Sequence, residues 1–150
     1  MTSKLLFLCT GNYYRSRFAE TLFNKLAGER GLDWQADSCG FAVDGQTGNV
    51  GPISRYAIDG LAARGIEPGS TWRDPRQLRQ VDLQQADLIV AVKEVEHRPY
   101  LEAQFPDWLD RVEFWQVHDL DKAPASEALD ELDRRVRGLI ERLTKTENGQ

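Results

Sequence analysis

The sequence predicts an α/β fold built on a parallel sheet, and three observations predict it. Short apolar runs of strand length alternate with longer segments whose apolar residues recur at helical spacing. One of these runs, residues 86–92, is apolar almost without interruption, as in a parallel strand covered on both faces. The chain has 150 residues and no internal repeat, enough for one substantial core. A single domain over residues 1–150 follows, with right-handed crossovers between successive strands.

The elements run in order. Leu5-Leu6-Phe7-Leu8 reads as the first strand. A helix over residues 17–30 follows, with Phe18, Leu22, Phe23 and Leu26 on one side, and Gly31-Leu32 turns the chain into a strand at 34–39. Residues 40–51, rich in Gly, Asn and Asp, read as a long loop. Pro52-Ile53-Ser54 opens a helix with Tyr56, Ala57, Leu61 and Ala62 inward and Gly65 closing it. After the strand at 86–92, residues 94–105 read as a helix carrying His97 and ended by Pro106. Pro99 within it predicts a kink or a later start. Residues 112–117 form the last strand and 127–143 the last helix. Beyond Leu143, over about 145–150, a frayed tail is expected.

Composition narrows the functional classes. Net charge is −5 and no dense basic run occurs, which disfavours nucleic acid as a partner. No apolar stretch reaches membrane-spanning length, and the N-terminal apolar run is too short for a signal peptide. Two cysteines without an export signal predict reduced thiols and a cytoplasmic protein. His97 and His118 stand apart from any cysteine cluster, so neither a metal nor another cofactor is expected.

The stretch richest in chemistry is Cys9-Thr10-Gly11-Asn12-Tyr13-Tyr14-Arg15-Ser16-Arg17, between the first strand and the first helix. Such a loop gathers backbone N–H groups at a helix N-terminus, where the dipole favours an anion. Gly11 permits close approach or positive φ, and Asn12 tolerates a left-handed conformation. Arg15 brings a planar fork of donors suited to an oxyanion. Thr10, Gly11, Asn12, Tyr13, Tyr14, Arg15 and Ser16 thus form a phosphate-sized cradle with the Cys9 sulfur at its mouth. These surroundings, with a donated hydroxyl from Ser16, favour thiolate over thiol. A thiolate beneath a phosphoryl group is a nucleophile in line with phosphorus.

Cys-x-Gly-Asn-x-x-Arg-Ser after the first strand resembles the loop of the low-molecular-weight protein tyrosine phosphatases. Asn49-Val50-Gly51 before the second helix, then Arg76-Gln77-Leu78 and Asp82, resemble that family's middle section. The resemblance implies a four-stranded parallel sheet flanked by helices on both faces. It also implies metal-independent hydrolysis of phosphomonoesters, foremost protein phosphotyrosine, through a cysteinyl phosphate. Cys9 is then the nucleophile, and Arg15 with the loop amides binds the phosphate. An aspartate on the loop after the last strand acts as general acid and base. Asp119 falls there by counting, with Asp121 as the rival. Phosphorylated protein or a small aryl phosphate is the expected substrate, and inorganic phosphate the product and inhibitor. The oligomeric state and the physiological substrate stay open.

The chain departs from the family's pattern at several positions. Leu120 replaces the proline after the acid, so that loop loses a fixed φ. Tyr14 stands where a second cysteine is usual, which removes an adjacent resolving thiol. Arg17 replaces a proline in the first helical turn and offers an attraction for an anionic substrate. Tyr13 shapes the pocket rim, either stacking on a phosphotyrosine or narrowing the entrance. The phosphoarginine phosphatases of the family are associated with a small residue at this place, so Tyr13 disfavours that branch. Gly48 lies where a rim aromatic is common, and Trp72 is another candidate wall. Cys39 invites a Cys9–Cys39 disulfide between neighbouring strands, although a small buried side chain is the preferred reading. Two alternatives accompany the phosphatase: a weakly active or inactive oxyanion-binding module, and an arsenate reductase that depends on an external thiol.

Overall fold

The computed structural model describes residues 2–43, 52–69, 72–117 and 125–147. Four strands, β1 (Ser3–Cys9), β2 (Trp34–Gly40), β3 (Leu88–Ala91) and β4 (Val112–Phe114), form one parallel sheet in the order β2-β1-β3-β4. Helices α1 (Arg15–Arg30), α2 (Arg55–Ala62), α3 (Gln80–Gln85), α4 (Glu94–Gln104) and α5 (Ala125–Glu147) join and cover the strands. A 3-10 helix, Pro106–Arg111, leads into β4.

Side chains alternate across a strand, and the sheet divides its apolar residues into two cores accordingly. Leu5, Phe7, Cys9, Val90 and Val92 face one core with Phe18, Leu22 and Phe23 of α1 and Leu132, Val136 and Ile140 of α5. Leu6, Leu8, Cys39, Ile89 and Ala91 face the other with Leu83 of α3 and Leu101 of α4. Burial of each such leucine or phenylalanine contributes about 1.5–3 kcal/mol, so both layers hold the sheet. The expected architecture is therefore present, helices on both faces included.

Local chemistry sets the boundaries. Gly31 ends α1 in the left-handed conformation (φ 65°), where its N–H reaches the Ala27 and Gly28 carbonyls. Ser54 caps α2 by accepting the Tyr56 N–H at 3.2 Å. Pro99 neither delays nor ends α4, which starts at Glu94; the carbonyl it deprives of a partner belongs to the exposed Val95. β4 is shorter than expected, but the chain keeps beside β3, with the Trp115 N–H on Ala91 O at 2.9 Å and the Val117 N–H on Val92 O at 2.7 Å. α5 continues to Glu147 rather than fraying after Leu143, and the Thr144 and Thr146 hydroxyls bond back to the Ile140 and Arg142 carbonyls. The short helix α3 is an addition, boxed at its start by Asp82 accepting the Arg79 N–H at 2.8 Å.

The strand order places a switch point between β1 and β3, where consecutive connections leave the sheet on opposite faces. α1 follows β1 onto one face and α4 follows β3 onto the other, opening a crevice beyond their carboxyl ends. Cys9 ends β1 at that crevice.

Gly40, at the same end of β2, lies against the loop that follows β1. A Cβ there would sit 2.7 Å from the Thr10 carbonyl oxygen and 2.8 Å from the Asn12 nitrogen. Both are backbone atoms and cannot swing aside. Gly40→Ala is therefore expected to lower stability by about 1–3 kcal/mol in denaturant unfolding, the usual penalty for overpacking. A variant as stable as the parent would show that this approach is looser than described.

Candidate active site

The loop after β1 turns at Asn12, the only non-glycine with positive φ (49°) among the described residues. An L-residue bears this conformation when its short polar side chain bonds locally, and Asn12 does so fully. Its Nδ2 donates to the Ser16 and Ser38 hydroxyls, both at 2.9 Å. Its Oδ1 accepts the Arg76 N–H at 2.9 Å and an Arg73 Nη1 hydrogen at 3.1 Å. Both donors and both lone pairs of the amide are thus engaged, with the side chain wholly buried.

Those bonds orient the next link. Because Asn12 Nδ2 can only donate, the Ser16 oxygen accepts from it. The single Ser16 hydrogen stays available to Cys9 Sγ, 2.9 Å away. Behind Asn12, Ser38 donates to Glu20 Oε1 at 2.6 Å, and Arg73 Nη2 bonds Glu20 and Ser38, each at 3.1 Å. Burial pushes the Glu20 carboxyl above its ordinary range, against the pull of Ser38 and Arg73.

On the other flank, Arg15 meets a carboxylate from across the switch point. Its Nη2 lies 2.7 Å from Glu96 Oε2, and its Nη1 lies 3.2 Å from Oε1 and 3.0 Å from the Val117 carbonyl. The Thr10 hydroxyl also donates to Glu96 Oε2. His97 Nδ1 accepts the Lys93 N–H at 3.1 Å, which assigns the ring proton to Nε2. That edge faces Thr10 Oγ1 and Glu96 Oε2, both at 3.2 Å. Burial alone would raise the Glu96 carboxyl. Hydrogen bonds from His97, Arg15 and Thr10, with the Arg15 charge, instead hold it well below the usual carboxylate range. Among the described residues no buried side-chain nitrogen or oxygen lacks a partner.

Cys9, Asn12 and Ser16 are brought together by hydrogen bonds, Thr10 and Arg15 meet on Glu96, and Gly11 lies on the same loop. Tyr13 is half-buried on the same loop, its carbonyl accepting the Ser54 N–H at 2.9 Å. The Tyr14 ring lies buried in the core, edge-on to Tyr56 with centroids 6.3 Å apart. One reading needs correction. Arg17 offers no surface attraction, for it is completely buried and donates to main-chain carbonyls.

Cys39 is buried against the opposite core from Cys9, beside Leu8, and both thiols are free. A disulfide between them would have to pass through the sheet. Burial, then repulsion from Asp82 and Asp37, pushes the Cys39 thiol up to about 12, so it stays protonated and inert. Trp72 is exposed. His118, Asp119, Leu120, Asp121 and residues 48–51 lie outside the described residues. Glu96 and His97 are the site residues that sequence reasoning missed. Glu96 carries no signal in the sequence, and His97 stands there only as an isolated histidine on a predicted helix.

The family model described as low molecular weight phosphotyrosine protein phosphatase matches residues 4–148. The protein-arginine-phosphatase of Bacillus subtilis (strain 168) is 28% identical over 108 residues, covering 72% of this chain and 67% of its own. A low molecular weight protein tyrosine phosphatase from T. tengcongensis is 29% identical, with a TM-score of 0.79 over 94% of this chain and 99% of its own. YfkJ from Bacillus subtilis shares the fold at a TM-score of 0.83 and 23% identity, over 97% of each chain. The chain belongs to the low molecular weight phosphotyrosine protein phosphatase family, whose members hydrolyse phosphoesters through a cysteine and without a metal.

Proposed function

We propose that this chain is a protein phosphotyrosine phosphatase with Cys9 as nucleophile, Arg15 and the 10–16 loop as phosphate cradle, and Asp119 as general acid and base. The observation that carries this reading is the Asn12–Ser16–Cys9 relay, which keeps a hydroxyl hydrogen available to the sulfur where β1 meets α1. In the first step Cys9 Sγ attacks phosphorus while the bond to the ester oxygen breaks. Asp119 gives its proton to that leaving oxygen. In the second step a water attacks the cysteinyl phosphate, and the Asp119 carboxylate takes the water's proton. Inorganic phosphate leaves and the thiolate returns. Arg15 and the loop amides hold the equatorial oxygens throughout as preorganised donors.

Glu96 prepares Arg15 for this work. Its bidentate hold sets the guanidinium plane before substrate arrives, so no arginine rotamer has to be ordered at binding. Two free cysteines support a cytoplasmic reading, and among the described residues no helix is long and apolar enough to cross a membrane. Its substrates are phosphorylated proteins, as in the family. The Bacillus subtilis relative makes phosphoarginine the competing substrate class. Tyr13, a bulky half-buried side chain on the nucleophile loop, favours the aryl ester.

Steady-state hydrolysis of an aryl phosphate in EDTA should be abolished in Cys9→Ser and sharply reduced in Asp119→Asn. Turnover by Cys9→Ser sinks the covalent mechanism, since that serine has no base to activate it. An unaffected Asp119→Asn moves the acid to Asp121. Preference for phosphoarginine over aryl phosphate would overturn the assignment of substrate.

Glu96→Gln should lower kcat/KM by about tenfold to a hundredfold, the worth of a hydrogen bond to a charged group. Its effect on stability is pH-dependent with a definite sign. A carboxylate depressed in the folded state stabilises fully above its unfolded value of about 4.3 and loses that contribution as pH falls toward the folded value. Melting profiles of parent and Glu96→Gln should therefore be widest apart near neutrality and converge below about pH 4. A gap that is constant with pH would mean that Glu96 is not held as described.

A further inference from the structure

We propose that Arg17 is a positioning residue for the nucleophile loop, tying the Asn12 turn to two flanking segments so that Cys9 and the cradle keep their aim. This rests on the phosphatase reading above and adds a residue to it. Arg17 Nη1 donates to the Asn12 carbonyl at 2.9 Å and to the Pro52 carbonyl at 3.1 Å, and its Nη2 donates to the Arg73 carbonyl. These carbonyls belong to the loop after β1, the approach to α2, and the segment before α3. One planar fork therefore joins stretches of chain that are otherwise far apart in sequence.

The position is costly for a cation. It lies in the first turn of α1, where the helix dipole disfavours positive charge, and it is completely buried. Desolvating a guanidinium costs several kcal/mol, which charge-assisted bonds to carbonyls offset only if the geometry is good. Burial first, then repulsion from Arg73, lowers its pKa to about 10, so the charge persists at neutral pH. Nothing about the helix calls for this cation. What it does accomplish is a second hold on Asn12. Arg73 and the Arg76 N–H grip that residue by its side-chain oxygen, and Arg17 grips it by its main-chain oxygen. Asn12 is also the residue that bears the left-handed conformation. Where a proline would stiffen this turn covalently, the arginine does so with directional hydrogen bonds. A lysine, with one compact ammonium, cannot reproduce the fork.

The test compares Arg17→Ala and Arg17→Lys with the parent, at temperatures well below each melting transition. The readouts are kcat and KM on an aryl phosphate, and the rise in melting temperature with inorganic phosphate. In Arg17→Ala we expect kcat/KM per folded enzyme to fall by about a hundredfold, as a misplaced reacting group does, with a smaller phosphate-induced shift. Millimolar guanidinium, filling the vacated space, should restore part of the turnover in Arg17→Ala and none in Cys9→Ser. Arg17→Lys, which keeps charge and most of the volume, serves where the alanine variant does not fold, and should show a folded protein with reduced kcat. Variants that melt earlier but keep parental kcat and KM would overturn the proposal, leaving Arg17 a purely structural residue. Loss of turnover that guanidinium does not relieve, in a folded Arg17→Ala, would also overturn it. If the parent itself turns over no phosphomonoester, the phosphatase reading fails. The phosphate-induced shift then decides on Arg17 alone: a parental shift in the folded variants refutes its hold on the loop, and a reduced shift upholds it.

Discussion

Asn12 carries the arrangement of the whole catalytic end. Its backbone takes the left-handed turn that bends the chain from β1 into α1, and its amide spends every hydrogen-bonding position to keep that turn. From it the order runs outward in two directions. Through Ser16 it reaches the sulfur of Cys9 and keeps the hydroxyl hydrogen available to it. Through Ser38 and Arg73 it reaches β2 and Glu20, so the loop is anchored to the sheet rather than to solvent. Gly40 completes the fit, since any larger residue would press on the loop's main chain. A network of this kind is stiff when fully paired and costly when any member is lost.

The second constraint is topological. The β2-β1-β3-β4 order sends α1 and α4 to opposite faces of the sheet, and their N-terminal turns face each other over the crevice. Arg15 from one and Glu96 from the other meet there at 2.7 Å, with Thr10 and His97 sharing the carboxylate. A partly buried ion pair adds little to net stability, because desolvation cancels much of the attraction. Its worth here is geometric. It holds the guanidinium plane in place at the mouth of the cradle.

Much of this was legible in the sequence, and the reasons differ by residue. The strand-loop-helix setting of Cys9, the left-handed tolerance of Asn12 and the donor pattern of Arg15 and Ser16 are local properties, and periodicity placed the sheet and its covering helices. Glu96 was not legible, because its partner lies 81 residues away and only the sheet's switch point brings them together. Arg17 misled for a related reason. An arginine in a first helical turn reads as an attraction for an anionic substrate, but tertiary packing turned it onto main-chain carbonyls. The persistence of α4 through Pro99 shows the same override, with a local breaker outweighed by burial of His97 and Leu101.

The chemistry assigned to the site stands on a covalent bond between sulfur and phosphorus. The most direct test is a rapid denaturing quench of the parent during turnover of an aryl phosphate, followed by mass analysis of the intact protein and its peptides. The account predicts a single phosphoryl group on Cys9, absent from Cys9→Ala, which should also be inactive. A phosphoryl group on another residue, or turnover by Cys9→Ala, would contradict it.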